Sequence, residues 1–376
     1  MRILLVEPYH GGSHRAWAEG YRDHSAHRVS LVTHEAQFWK WRMHGAHVTL
    51  ADRIAEVVDE IGPPDVLVAS SMVNLPALLG AARRSLGTCP VVLFMHENQL
   101  TYPWAPRDRI DTTYAMINWT SMTVADRIVF NSSFHRSAWF DAVPRLLGSM
   151  PDRRHLDHVP EVEVRSVVLP VGIDLARFDL AACADGADDP AAESDREPPI
   201  VLWNHRADHD KGPDEFVAAM EKAAGQGLEF RVALAGERLD DGPEEFERLR
   251  LSMPERIIHD GHASEVDYLD LLRRSRIVVS TARQEFFGIA ITEAIYAGGF
   301  PILPHRLVYP ERIPAPFHER CLYVDGTDLV AKLRWALTEP EAAAAVTRQL
   351  RPEMWATDWS TVAPRYDALI EDVVTG

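Results

Sequence analysis

Two glutamates eight positions apart are the residues best suited to chemistry. Residues 276–281 form a β-branched run that predicts a buried strand, and residues 289–297 have the apolar spacing of a helix. Glu285 lies in the loop between them, and Glu293 lies within the helix. One carboxylate can accept hydrogen bonds from sugar hydroxyls while the other reaches a ribose diol. For an isolated pair of this kind, a solvated helix face is the ordinary alternative.

The first turn of this helix is a predicted anion site. Gly288 begins the turn, so we expect the backbone N–H groups of Gly288, Ile289 and Ala290 to point out at the carboxyl edge of a sheet. A helix N-terminus attracts negative charge because its first N–H groups lack partners and its dipole is positive there.

A guanidinium and an ammonium follow another predicted strand, residues 200–203. Arg206 and Lys211 are five positions apart. Such a pair supports a diphosphate, because a planar guanidinium binds two oxygens and a mobile ammonium can follow developing charge. A solvated surface pair is the alternative. Gly236 and Gly261 follow two further predicted strands and mark loops where a nucleotide base can rest.

The elements that must position these groups alternate between strands and helices. The first half has predicted strands at residues 2–7, 29–33, 65–70, 91–95, 126–131 and 164–169. This alternation predicts a parallel doubly wound sheet with its ligand crevice at the carboxyl ends of the strands. Gly11 and Gly12 follow the first strand and let the backbone approach a ligand, but the turn is too short for a dinucleotide fingerprint.

Polar and aromatic groups in the first half are further candidates. His96, Glu97 and Asn98 directly follow the strand 91–95, and three consecutive polar side chains are hard to bury there without a ligand. If the stretch 38–47 is extended, its two tryptophans face opposite sides, so at least one is free to stack on a nucleobase. Packing of both tryptophans against the domain surface is an equal alternative. Asn131-Ser132 is explained by helix capping alone.

The spacing of Glu285 and Glu293 resembles the donor-sugar motif of GT-B glycosyltransferases of family 4. The longer string STARQEFFGIAITEAIYAGGFP resembles one branch, the tRNA-queuosine α-mannosyltransferase family. Six further segments carry the likeness in the expected order: PYHGGSH at 8–14, FWKWR at 38–42, FMHENQLTYP at 94–103, VFNSSF at 129–134, VLWNHRADHDK at 201–211 and LVYPER at 307–312. The wider family usually has glycine just before the arginine at 206, where this chain has Asn204-His205.

The resemblance implies a GT-B fold, with two Rossmann-like domains facing across a cleft, and a retaining transfer. It implies GDP-mannose as the donor and queuosine in a tRNA anticodon as the acceptor, with no metal or other cofactor and no protein nucleophile. The catalytic assignments are His96, Glu285, Arg206 and Lys211; donor binding adds Gly11, Gly12, Gly236, Gly261, Phe287, Gly288, Ile289 and Glu293; acceptor binding falls to His14, Trp41, Arg42, Glu97, Asn98 and Tyr102.

The domain prediction places an acceptor-side domain at residues 1–175, completed by a terminal helix at about 353–376. An acidic linker at 176–199 and a donor domain at 200–352 follow. The chain has 376 residues, enough for two cores, and no apolar run approaches a membrane span. Three scattered cysteines indicate neither disulfides nor zinc and fit the cytoplasm.

The charge distribution bears on the acceptor. The net charge is −17, which argues against a nucleic-acid partner, but the first 170 residues hold 17 Lys and Arg against 18 Asp and Glu. That near-neutral half also has 11 of the 17 histidines, which permits local contact with tRNA. Other functions stay open: the same chemistry on a small-molecule or lipid-linked acceptor, a phosphorylase or epimerase, and a non-catalytic sugar-nucleotide binding protein. The sequence does not indicate the oligomeric state.

Overall fold

The computed structural model describes residues 1–103, 111–179, 197–237 and 244–376. Within these ranges the chain divides into two compact units: Met1–Asp174 with Thr357–Gly376, and Leu175–Ala356. Each unit has one six-stranded sheet in which every strand pairing is parallel. The predicted α/β fold with two parallel sheets is confirmed. Most of the predicted linker, 180–196, lies outside the described residues.

The first sheet has the strand order β2-β1-β3-β4-β5-β6. Its strands are β1 (Arg2–His10), β2 (Arg28–Glu35), β3 (Val66–Ser70), β4 (Val91–Met95), β5 (Arg127–Phe130) and β6 (Ser166–Val168). The helices are α1 (Gly12–His24), α2 (Trp39–Ile61), α3 (Leu75–Ala81), α4 (Arg83–Leu86), α5 (Thr113–Val124), α6 (Ser133–Gly148) and α7 (Val159–Val164). Strands β3 and β4 are buried throughout because helices cover both faces of such a sheet.

The second sheet has the strand order β12-β11-β10-β7-β8-β9. Its strands are β7 (Ile200–Trp203), β8 (Arg231–Ala235), β9 (Ile257–Gly261), β10 (Ser275–Val279), β11 (Phe300–Pro304) and β12 (Leu322–Tyr323). The helices are α8 (Pro213–Gly225), α9 (Glu244–Ser252), α10 (Glu265–Arg274), α11 (Ile289–Tyr296), α12 (Tyr309–Arg312), α13 (His318–Cys321), α14 (Gly326–Thr338) and α15 (Pro340–Met354).

The strand orders show where each sheet should bind a ligand. In a doubly wound sheet, ligands bind at the carboxyl ends of the strands where the order reverses. The order reverses between β1 and β3 in the first sheet and between β7 and β10 in the second. The segments after β1, β7 and β10 are those that the sequence marks as functional. Among the helices in the described ranges, none combines the length and apolar character that a membrane span requires.

The terminal helix α16 (Trp359–Thr375) belongs to the first unit. The Trp359 indole lies against the backbone of Gly20 and Gly172, and a Cβ on either glycine would lie within 2.2 Å of an indole atom. Asp367 accepts hydrogen bonds from the Tyr21 hydroxyl at 2.7 Å and from the Ala26 N–H at 2.8 Å. These contacts bind the end of the chain to its beginning.

One conditional premise does not hold and one local prediction is wrong. The stretch 38–47 is not extended: Phe38 has a φ of 51° and precedes helix α2, so the residues from Trp39 onward are helical. The predicted strand 164–169 is also too long, because Val164 is the last residue of α7 and the strand covers only Ser166–Val168. Both errors arise from reading β-branched and aromatic residues as extended, although packing decides between the two states.

Candidate active site

Glu285 lies between β10 and α11 and holds the loop that joins them. Its Oε1 accepts hydrogen bonds from the backbone N–H groups of Phe287, at 3.3 Å, and Gly288, at 3.0 Å. Gly288 has a φ of 86°, a left-handed conformation that favours glycine. The Gly288 N–H is thus directed at the Glu285 carboxylate, and its contact with the donor stays a prediction. The N–H groups of Ile289 and Ala290 remain as first-turn donors of α11.

Lys211 lies at the centre of an acidic group. Its Nζ donates to the Gln284 carbonyl at 2.8 Å and lies 3.3 Å from Asp210 and 3.4 Å from Glu285. Burial alone would lower the pKa of Lys211, but the charges of Glu285 and Asp210 outweigh burial and raise it. Burial alone would raise the pKa of Glu285, yet Lys211 and the loop N–H groups lower it. Lys211 and Glu285 are therefore both charged at neutral pH.

Arg206 is the more accessible of the two predicted cations. Its side chain is 47% exposed, and Nη2 lies 3.2 Å from Asp208 and 3.9 Å from Asp210. The structure thus places Arg206 and Lys211 around the same Asp210 carboxylate. Glu285, Lys211 and Arg206 are brought together at the switch point of the second sheet, which is the arrangement that their spacing predicts.

Asn204 and His205, which replace the usual glycine, join β7 to its neighbours. The Asn204 side-chain amide donates to the Ala290 carbonyl at 2.8 Å, which connects this loop to the first turn of α11. The His205 Nε2 lies 3.0 Å from the Ser280 hydroxyl. Burial, together with the charge of Lys211, lowers the pKa of His205 to about 4, so the ring is neutral. The departure from the family pattern therefore adds hydrogen bonds to the loop that follows β7.

Glu293 is buried and already has two partners. Its Oε1 accepts from the Arg177 guanidinium at 2.5 Å, and its Oε2 accepts from the Tyr268 hydroxyl at 2.9 Å. A carboxylate oxygen can accept more than one hydrogen bond, and contact of Glu293 with a ribose hydroxyl stays a prediction. Sequence reasoning missed both partners, since neither Arg177 nor Tyr268 lies near Glu293 in the chain.

Gly236 and Gly261 line one depression at the edge of the second sheet, with Trp203, Phe246 and Asp260. The Gly236 N–H donates to the Gly261 carbonyl at 3.0 Å, so the two glycine segments contact each other. A Cβ at position 236 would lie 1.9 Å from the His205 carbonyl oxygen, and only glycine fits there. The role of this depression in binding a base stays a prediction.

The first unit has a cluster that the sequence indicated only in part. Glu7, at the end of the apolar part of β1, is fully buried, and its Oε2 lies 3.0 Å from His14 Nδ1 and 3.7 Å from His96 Nε2. The two imidazole rings are 4.1 Å apart between centroids. His14 and His96 were predicted as site residues, whereas Glu7 was missed because it reads as part of an apolar strand.

The two histidines differ in charge. Burial alone would lower the pKa of His14, but the charge of Glu7 and its hydrogen bond raise it. Burial and the nearby positive charge of His14 hold the pKa of His96 well below its usual value. In the described part of the chain, these three residues are the group that could hold a metal ion, with ligand atoms within 4.8 Å of one another. A carboxylate and two imidazoles suit zinc.

The other predicted residues of the first unit differ in their surroundings. Gly11 precedes α1, and a Cβ on it would meet Ala36 at 2.4 Å, whereas Gly12 has open space beside it. The Asn98 Oδ1 accepts from the N–H groups of Leu100 and Thr101, so its oxygen holds a turn. Its buried amide nitrogen has no partner among the described residues. 

Glu97 accepts from the Gln99 side chain at 2.9 Å. Tyr102 is half-buried and precedes the residues 104–110, which lie outside the described ranges. Asn131 donates to the His96 carbonyl at 2.8 Å, and Ser132 caps α6, as predicted. The acceptor roles of Glu97 and Tyr102 stay predictions.

The aromatic stretch before and within α2 has one buried face and one exposed face. Trp39 packs against Tyr114, with ring centroids 5.0 Å apart, whereas Trp41 is 63% exposed and Phe38 is 75% exposed. Arg42 donates to the Glu35 carbonyl from two nitrogens, each at 3.3 Å. Trp41 is therefore available to stack on a base. It is exposed because it lies on the outer face of helix α2, and not because side chains alternate along a strand.

Comparison with known proteins agrees with this geometry. Residues 2–173 match the family model described as tRNA-queuosine alpha-mannosyltransferase N-terminal, and residues 186–351 match that of glycosyl transferases group 1. Sucrose-phosphate synthase from Thermosynechococcus elongatus superposes with a TM-score of 0.70 at 16% identity, over 99% of both chains. Anabaena HepE in complex with UDP also gives 0.70, at 15% identity, over 99% of this chain and 100% of that one.

The two parallel sheets, with Glu285, Lys211 and Arg206 at the switch point of the second sheet, thus define a glycosyltransferase of the GT-B fold. A tRNA-queuosine alpha-mannosyltransferase of Drosophila melanogaster is 34% identical to this chain over 337 residues, which cover 88% of this chain and 85% of the fly protein. The chain belongs to the tRNA-queuosine alpha-mannosyltransferase family.

Proposed function

We propose that this enzyme transfers mannose from GDP-mannose to queuosine in a tRNA anticodon, with retention of the anomeric configuration. The identity of 34% with the fly enzyme over most of both chains is the observation that carries the proposal. The exposed Trp41 and Phe38 give a stacking platform for an anticodon base, and the first 170 residues, with 17 Lys and Arg against 18 Asp and Glu, are nearly neutral. A cytoplasmic location, where tRNA is found, is part of the proposal.

The donor chemistry follows from the second unit. Glu285 is charged and lies directly before α11, so it can orient the hydroxyls of the transferred sugar. Lys211 and Arg206 offset charge on the departing diphosphate, and the first-turn N–H groups of α11 add to this. The leaving phosphate takes the proton of the acceptor hydroxyl as the new glycosidic bond forms on the same face.

The direct test incubates the purified protein with GDP-mannose, UDP-glucose or ADP-glucose and with tRNA that contains or lacks queuosine. We expect release of GDP only from GDP-mannose and only with queuosine-containing tRNA, and a nucleoside digest should contain queuosine one hexose heavier. An α-specific mannosidase should remove that hexose. Release of nucleoside diphosphate with a small sugar or lipid-linked acceptor, and none with tRNA, would overturn the acceptor assignment. Binding of GDP without turnover on any acceptor would indicate a sensor.

Metal removal tests the proposal that protein groups neutralise the diphosphate. Turnover should be unchanged after dialysis against a chelator and gel filtration, because Lys211, Arg206 and α11 need no cation. Loss of turnover that zinc restores, and that magnesium does not, would contradict this. The Glu7, His14 and His96 cluster would then be the place to look for the ion.

A further inference from the structure

Arg312 contacts the loop that joins β10 to α11, and the donor chemistry proposed above does not use this residue. It is the last residue of α12, and its Nε donates to the Phe287 carbonyl at 3.2 Å. The guanidinium carbon lies 4.1 Å from the centroid of the Phe287 ring, a cation–π contact. Phe287 immediately precedes Gly288 and the first turn of α11. Arg312 therefore lies beside the start of that helix.

The Arg312 guanidinium has N–H donors that are available to a ligand. Among the described residues no carboxylate forms an ion pair with Arg312, and neither Nη atom has a protein partner or is sealed from solvent. Burial lowers the pKa of Arg312 to about 10, with Glu311 and Glu285 acting against burial, so the group stays protonated at neutral pH. Arg306 in the same unit differs, since it pairs with Glu215 at 2.9 Å. A partly buried, unpaired guanidinium is costly unless an anion offsets its charge.

The charges around the predicted diphosphate site show why a third cation is needed. Arg206 and Lys211 contribute two positive charges, but Asp208, Asp210 and Glu285 lie within 4.0 Å of them and contribute three negative charges. In their ordinary ionisation states the five groups sum to one net negative charge. This group alone is a poor receptor for a diphosphate, which itself carries at least two negative charges.

We propose that Arg312 binds the diphosphate of the donor, together with the first-turn N–H groups of α11. This inference rests on the proposed function and extends it to a residue outside the glutamate motif. The fork of Nη donors suits bidentate contact with phosphate oxygens, and stacking on Phe287 fixes the plane of the fork. Arg312 also removes the net negative charge of the Arg206 and Lys211 group.

The test compares the binding of GDP and of guanosine, which lacks phosphate, to wild-type protein and to Arg312→Gln by calorimetry. GDP affinity should fall about 10- to 100-fold in the variant, because charge-assisted hydrogen bonds to phosphate are lost. Guanosine affinity should change by less than about threefold, and Arg312→Lys should recover part of the GDP affinity. Arg274→Gln removes an exposed guanidinium that pairs with Asp270 in the same unit and should behave as wild type.

Three results would overturn the inference. Unchanged GDP affinity in a folded Arg312→Gln protein would remove Arg312 from the donor site. Equal losses for GDP and guanosine would show that the residue only maintains the loop. A loss confined to tRNA binding would assign the guanidinium to the acceptor backbone instead. If the wild-type protein binds GDP poorly but another nucleoside diphosphate well, the proposed donor is wrong, and the same comparison with that nucleotide and its nucleoside decides the role of Arg312.

Discussion

The predicted contact between Glu293 and the nucleotide ribose can be tested by replacing the carboxylate with the isosteric amide. Glu293→Gln keeps an oxygen for Arg177 or Tyr268 but loses the charge that makes every contact charge-assisted. The glutamate side chain is 10% exposed and that of Arg177 28%. The burial of the Arg177–Glu293 ion pair is intermediate. Disrupting a buried ion pair costs about 3–5 kcal/mol, whereas an exposed ion pair contributes about 1 kcal/mol or less. The retained amide oxygen limits the expected loss of stability to about 1–2 kcal/mol.

The Glu293→Gln substitution should weaken the binding of ligands that carry the ribose diol and spare the binding of ligands that lack it. A hydrogen bond from a ribose hydroxyl to a carboxylate contributes about 1.5–3 kcal/mol, so GDP affinity should fall about 10- to 100-fold in Glu293→Gln. Calorimetry with 2′,3′-dideoxy GDP closes a double-mutant cycle, because this ligand lacks the diol. Wild type should bind it about as weakly as the variant binds GDP, and the variant should lose little further affinity for it.

The matched control is Glu265→Gln, because Glu265 also lies near Arg177, at 3.7 Å, but is 75% exposed. This variant should bind GDP as wild type does. An equal loss of affinity for GDP and for dideoxy GDP in Glu293→Gln would refute the ribose contact. The carboxylate would then serve only to hold Arg177 and Tyr268.

Three other outcomes are expected. Glu285→Gln should lower kcat about 100-fold or more and leave GDP affinity within about threefold, because in the proposed mechanism that carboxylate positions the sugar; a matching fall in GDP affinity would contradict this. Trp41→Ala should weaken tRNA binding in a filter assay by about 1–3 kcal/mol without changing GDP affinity or Tm, and equal losses of both affinities would indicate misfolding. The depressed pKa of His205, about 4, means that the unfolded chain binds a proton below about 6.5 while the folded protein does not. The free energy of unfolding in urea should therefore fall by about 3 kcal/mol from this residue between pH 6.5 and 4, and His205→Gln should flatten that slope; identical slopes would exclude the explanation.

Sequence reasoning succeeded where spacing alone carries the information. The helix after Gly288 was predicted within one residue of Ile289–Tyr296, and β4 and β7 were predicted at their observed bounds. Local apolar periodicity determines such elements, and their order along the chain determines a parallel sheet. The convergence of Glu285 and Lys211 then follows, since both come after neighbouring central strands of one sheet.

The missed residues share a different property, since their roles depend on partners far along the chain. Arg177 meets Glu293 across 116 positions, and Arg312 meets Phe287 across 25. Helix α2 was misread because Phe38, at its N-cap position, makes no side-chain capping bond and alternating aromatics follow it. In each case tertiary packing, rather than local pattern, decides the outcome.

In the first unit, a charged residue inside a buried strand indicates a functional site. Glu7 has no exposed surface, and an unpaired buried carboxylate would be strongly disfavoured. Its contact with His14 offsets that cost and favours the imidazolium there, while the resulting positive charge and burial favour the neutral form of His96. One buried carboxylate thereby gives two adjacent imidazoles opposite protonation preferences, so that one can donate from both nitrogens while the other retains a lone pair. A sugar hydroxyl is both donor and acceptor, so we expect such a pair of rings to suit one, and the site role of both histidines stays a prediction.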